Sequence, residues 1–205
     1  MDLYSAVLLL LMIFLPIGWL CIAKEYALKK ALIELLPKSK GISEEVLGGL
    51  ALFCILVLSF LIVSLLLTAL GLNDLEKVSE VIAQEKNNML EFSLFMVFAV
   101  FAEEYFFRSF LIKRFALFFS KFFSKIKKIE KDFVKKASSV SAIIFSTLIF
   151  AFAHFGYESV AQIIGAFLLG LILAYWFFKN NSLLQNYLGH LFYNLLVIVI
   201  YIVFT

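Results

Sequence analysis

Six apolar runs, residues 3–23, 47–70, 92–119, 140–155, 160–178 and 183–204, decide what this chain can fold into. Each spans or nearly spans a hydrocarbon core about 30 Å thick. In lipid every backbone N–H and C=O must be satisfied internally, and runs of this kind do that as helices. A hydrophobic content of 63% over 205 residues, with a mean hydropathy of +1.01, is more than a soluble domain of this size could bury. The expected class is therefore all-α: a polytopic membrane protein of about six transmembrane helices, with amphipathic helices at its surface. The first run carries Asp2 in place of a basic leader and has no small-x-small cleavage site, so it reads as a retained span. Pro16 is expected to kink it. Cys21 and Cys54 both fall in apolar segments, which suits neither a disulfide framework nor a metal knuckle.

The connections sort by charge. Residues 24–45 hold five lysines, with Leu28, Ala31, Leu32, Leu35 and Leu36 at amphipathic spacing before Pro37. That predicts an interfacial helix. Residues 71–91 are acidic, with a weak apolar stripe of Leu75, Val78 and Ile82. Residues 113–136, from Lys113 to Lys136, hold nine Lys or Arg, and Phe119, Phe122, Phe123, Ile126, Ile129 and Phe133 recur at helical period. The reading is a helix lying on the membrane, its lysines towards anionic headgroups. Interleaved Phe and Ile speak against nucleic acid as the partner of this basic run. Lys and Arg gather after the first, third and fifth runs, which by the positive-inside rule makes those loops cytoplasmic and leaves both termini outside. One membrane domain is expected: residues 1–91 supply two N-terminal spans with interfacial segments, and residues 92–205 a four-helix core.

Within the third run stand Glu103, Glu104 and Arg108. A charge at mid-bilayer costs roughly 2.5–3.5 kcal/mol on an insertion scale, so three ionisable groups in so short a stretch require partners, water or a function. Helical geometry separates them. Glu104 and Arg108 are four apart and can pair, whereas Glu103 is rotated by about 100° and points elsewhere. A carboxylate left without its own counter-charge in a sheltered, wet site suits general acid or base work. Three more polar residues are marooned in apolar runs. His154 lies near the end of the fourth, and His190 and Asn194 stand four apart on one face of the sixth, where they must meet a cavity or a partner helix. At about 1.5 Å per residue from the basic side, His190 should lie roughly 10 Å deep and His154 beyond roughly 20 Å.

Glu-Glu-x-x-x-Arg at 103–108, Phe-x-x-x-His at 150–154 and His-x-x-x-Asn at 190–194, in that order on three helices, resemble the CAAX prenyl protease and bacteriocin-processing family of intramembrane glutamic endopeptidases. Residues 165–171 and 181–183 also look like that family's last two core helices. The likeness covers residues from about Phe92 onward. Ser109 stands where the family commonly has Gly.

The resemblance implies a hydrolase that cuts a peptide bond of a membrane-associated or lipidated peptide. It implies that Glu103 and His154 hold and activate a water, that His190 and Asn194 stabilise the oxyanion, and that Glu104 and Arg108 support the site. No cofactor or metal is implied. Two His and a Glu would also suit a zinc hydrolase, although the His-Glu-x-x-His helix of common metalloproteases is missing. A membrane interaction or immunity protein could keep the same polar cluster for helix packing. A transporter would use such groups as a proton relay, but paired Gly/Pro-broken helices are not evident.

Overall fold

The structure, a computed structural model, describes residues 3–84, 88–126 and 130–204. Ile129 of the basic stripe and Lys86, Lys127 and Lys128 of the charged connections lie outside those residues. Among the described residues every regular element is helical: α1 (Leu3–Ala23), α2 (Leu28–Leu35), α3 (Ile42–Ala69), α4 (Glu76–Gln84), α5 (Met89–Glu103), a π-helical segment (Glu104–Ile112), α6 (Lys113–Phe123), α7 (Lys131–Ala153), α8 (Val160–Asn180) and α9 (Leu183–Phe204). The protein is an all-α multi-pass membrane protein. Five helices among the described residues are by themselves long and apolar enough to cross a membrane: α1, α3, α7, α8 and α9. The sixth expected span is a composite. From Met89 to Phe123 the chain stays helical, but the hydrogen-bond register widens at Glu104–Ile112.

Contacts sort the connections onto two ends of the bundle. At one end the Leu35 carbonyl accepts from Ser109 Oγ, and Lys113 Nζ donates to the Glu34 carbonyl at 2.6 Å. Glu34 also pairs with Arg114. At that end too Glu45 accepts from Ser182 Oγ, which in turn caps α9 by accepting from Gln185 N at 3.1 Å. At the other end Asp74 accepts from Ser159 Oγ at 2.7 Å, Ala161 N at 2.9 Å and Val160 N at 3.0 Å. The carboxylate thus supplements Ser159, whose own Oγ accepts from Gln162 N at 3.0 Å, in satisfying the first amides of α8. These bonds hold the Asp74 carboxyl well below its usual range, the Ser159 hydroxyl contributing most.

Packing between helices uses small residues, as it must where lipid is as apolar as leucine. A Cβ on Gly189 of α9 would sit 2.8 Å from Leu52 Cγ of α3, and one on Gly49 would sit 2.7 Å from Leu188 Cβ. Beside this seam Phe53 meets Phe192 and Phe60 meets Tyr193 edge to face. Phe14, Leu58 and Leu65 are exposed, as lipid-facing side chains of spans should be.

Three expectations are corrected. The second span starts at Ile42 and not at residue 47, because Glu45 is buried and bonded to Ser182 and Lys40 N. The fourth ends at Ala153, so His154 caps it and a short 3-10 turn at Phe155–Tyr157 leads to Glu158 in a left-handed conformation. The basic stripe is divided. Phe115 and Phe119 of α6 pack on Phe145 of α7, leaving Phe122, Ile126 and Phe133 exposed, so α6 is braced by a neighbouring helix.

Candidate functional site

The π-helical segment sets the geometry of the site. One extra residue per turn frees backbone groups and shifts side chains, and such bulges recur at functional sites. Here the Phe107 carbonyl is satisfied by Ser146 Oγ of α7 at 2.7 Å. Ser109 is fully buried against α2, and its hydroxyl ties α2 down by donating to the Leu35 carbonyl.

Glu104 is sealed at the centre, with no exposed side-chain surface. Its Oε2 lies 3.3 Å from Arg108 Nε and accepts from Asn186 Nδ2 at 3.1 Å. Its Oε1 is 2.9 Å from His190 Nδ1. A carboxylate paired with a guanidinium can only accept, so Nδ1 carries the proton and Nε2 faces the other way. There Nε2 lies 3.9 Å from Glu103 Oε2 and 3.4 Å from Asn194 Nδ2. Asn194 Nδ2 also reaches Met96 Sδ at 3.4 Å. Arg108 is fully buried and lies over the Phe150 ring, 4.5 Å from its centroid.

His154 reaches the same place from α7. Its Nδ1 is 2.8 Å from the Phe150 carbonyl, which can only accept, so this imidazole too carries its proton on Nδ1. Its ring lies 4.7 Å from that of Phe150, which stands 6.1 Å from the His190 ring. The depth mismatch expected between the two imidazoles is thereby corrected. His154 and His190 line one cavity, together with Glu103 and Asn194. Its volume is about 380 Å³. Glu103 has 24% of its side chain exposed, against none for Glu104, so the two neighbouring carboxylates divide into one that faces the cavity and one that does not.

A model of the family described as type II CAAX prenyl endopeptidase Rce1-like matches residues 85–196. The chain belongs to this family. No curated protein and no solved structure matches it. Membership in the Rce1-like family makes the chain a peptide hydrolase of the CAAX-protease type, and the matched residues contain all three motifs.

Sequence reasoning missed one member of this Rce1-like site. Asn186 is fully buried, and its Nδ2 bridges Glu104 Oε2 and the Leu173 carbonyl, the latter at 2.8 Å. The signal was present: Asn186, His190 and Asn194 recur every fourth residue and share one face of α9. Among the described residues no three His, Cys, Asp or Glu side chains are grouped as a metal site would require.

Proposed function

We propose that the chain is an intramembrane endopeptidase in which Glu103 activates the attacking water. The observation that supports this best is the shared cavity. Glu103, His154, His190 and Asn194 line it, while Glu104 and Arg108 stand behind it as a neutralised, buried pair. Glu103 would take one proton from a water whose other hydrogen is accepted by Nε2 of His154. The resulting hydroxide adds to the scissile carbonyl carbon, and the oxyanion falls to Asn194 Nδ2–H and, in a doubly protonated ring, to Nε2–H of His190. Collapse breaks the C–N bond, and Glu103 returns its proton to the leaving amine. A positioned general base contributes about 10²–10⁴-fold, and an oxyanion donor about 2.7–4 kcal/mol. No resident metal enters this scheme.

The substrate class that fits is a membrane-associated or lipidated peptide, because the wall around the polar residues is built from apolar side chains such as Leu56, Phe60 and Leu169. The exposed lysines Lys121, Lys125, Lys131, Lys135 and Lys136 face anionic headgroups in this reading. Glu103→Gln keeps the shape and removes the base. In purified protein it should cut the cleavage rate of a membrane-anchored fluorogenic peptide by about 10²–10⁴-fold, with thermal unfolding unchanged. Cleavage at the wild-type rate by the Glu103→Gln variant would end this mechanism.

A further inference from the structure

Glu45 lies outside residues 85–196, the stretch matched to the family, and the chemistry proposed above does not use it. It stands in the first turn of α3 and is 1% exposed. A carboxylate withdrawn from water is costly unless hydrogen bonds replace its hydration. Two do so here. Oε1 accepts from Lys40 N at 2.9 Å, and Oε2 accepts from Ser182 Oγ in the turn before α9. Ser182 Oγ in turn accepts from Gln185 N at 3.1 Å. The Gln185 side chain completes the network: its Oε1 accepts from Trp176 Nε1 of α8 at 3.0 Å, and its Nε2 donates to the Glu44 carbonyl at 3.4 Å. Ser182 and Gln185 are buried as well.

The network continues along α9 into the site. Asn186 follows Gln185 directly, and Ser182 precedes His190 by eight residues, about 12 Å of helix. His190 must hold Nδ1 on Glu104 at 2.9 Å while its other nitrogen faces the cavity, so a small slide or turn of α9 would disturb both. Apolar burial is non-directional: it presses α9 against α3 without choosing its height. Hydrogen bonds are directional and do choose it. The helices approach closely enough for this, because a Cβ on Gly48 would collide with the Gln185 side chain. Glu45, Ser182 and Gln185 do not line the cavity, so any effect they have on its contents passes through α9.

We propose that Glu45 is a positioning residue for peptide hydrolysis. Its bond to Ser182 fixes the height and rotation of α9, and α9 then seats His190 Nδ1 on Glu104 and presents His190 Nε2 and Asn194 Nδ2 to the cavity. On this account α3 belongs to the catalytic machinery although it lies outside the matched residues. The part played in hydrolysis rests on the proteolytic reading above. The coupling of Glu45 to His190 rests on the bonds alone.

Imidazole NMR reads that coupling directly. The chain has two His, so tag-free protein carrying isotope-labelled histidine gives one set of ring signals for each, assigned with His154→Gln. Glu45→Gln keeps the size of the side chain and an acceptor for Lys40 N, and Ser182→Ala removes the hydroxyl on the α9 side of the same bond. In both variants the His190 ring signals should shift well beyond those of His154. Cleavage of a membrane-anchored peptide should fall about 10–10²-fold in kcat, with KM nearly unchanged. A loss of stability alone would lower the unfolding temperature and leave the His190 signals of the folded protein in place. Unmoved His190 signals in either folded variant overturn the coupling, and if one variant does not fold the other decides. Shifted signals with wild-type kcat overturn the part in hydrolysis. The signals are read without any cleavage, so an inactive wild type would count against the protease reading and leave the coupling decided.

Discussion

His190 donates its Nδ1–H to Glu104 across 2.9 Å, joining α9 to the start of the π-helical segment. The contact makes one unit of two motifs that lie far apart in sequence. Glu104 also meets Arg108 at 3.3 Å and Asn186 at 3.1 Å, so three partners converge on one buried carboxylate. Removing that charge leaves Arg108 buried without a counter-ion, which in proteins costs about 3–5 kcal/mol. Glu104→Gln should therefore lower the thermal unfolding temperature in detergent and abolish cleavage, whereas Glu103→Gln should abolish cleavage alone. Equal unfolding temperatures for the two variants would contradict the division of the carboxylates into one that supports the fold and one that faces the cavity.

Asn186 does not line the cavity, so its effect should pass through Glu104. Asn186→Leu removes a buried donor to the carboxylate and to the Leu173 carbonyl, a loss of about 1–3 kcal/mol in stability. Cleavage should fall in kcat with KM nearly unchanged. Asn186→Asp should do more harm, since it sets a second carboxylate against Glu104 where both side chains are fully buried. A KM effect in either variant would mean that Asn186 meets the substrate directly.

Much of this arrangement was legible in the sequence, for identifiable reasons. The apolar runs located the spans, and 100° per residue separated Glu103 from Glu104. Three features were not legible. The widened register at Glu104–Ile112 depends on partners far away in the chain, such as Ser146 and its bond to the Phe107 carbonyl. The depth of His154 depends on where α7 stops, and it runs to Ala153 from Lys131, well before the apolar run begins. The stripe of Leu75, Val78 and Ile82 looked weak because its partner, the cavity between α3 and α9, exists only after the bundle closes.

The Asp74 clamp carries a pH dependence outside the spans. Its folded carboxyl titrates below the usual value, chiefly because Ser159 donates to it, with the Ala161 and Val160 amides and Lys77 adding to the effect. A depressed folded value contributes stability above the unfolded value, about 3.9, and that contribution is lost as pH falls through the folded value. Stability of the wild type should thus drop on acidification below about pH 4, and Asp74→Asn should lack this component. The same variant should speed hydrogen exchange at the Val160 and Ala161 amides at neutral pH. Unchanged exchange there would show that the first turn of α8 does not need the carboxylate.

Two glycines of α8 test how the cavity wall is held. A Cβ on Gly170 would lie 3.0 Å from both Phe150 Cδ1 and Thr147 Cγ2, whereas one on Gly165 would meet nothing within 4 Å. Helix propensity favours Ala over Gly at both by about 0.8–1.0 kcal/mol, so propensity cannot separate them. Packing can. In Gly170→Ala the methyl must push Phe150, whose ring carries Arg108 on one contact and His154 on another, and whose carbonyl holds His154 Nδ1. Gly170→Ala should therefore slow cleavage of every substrate without unfolding the protein. Gly165 lines the cavity, so Gly165→Ala should be tolerated and Gly165→Leu should exclude bulky apolar substrates while sparing small ones. Cleavage rates on a peptide series graded in side-chain size decide the matter: a uniform loss at position 170 and a size-dependent loss at position 165 are expected, and the reverse pattern would place Phe150 and His154 away from the reacting bond.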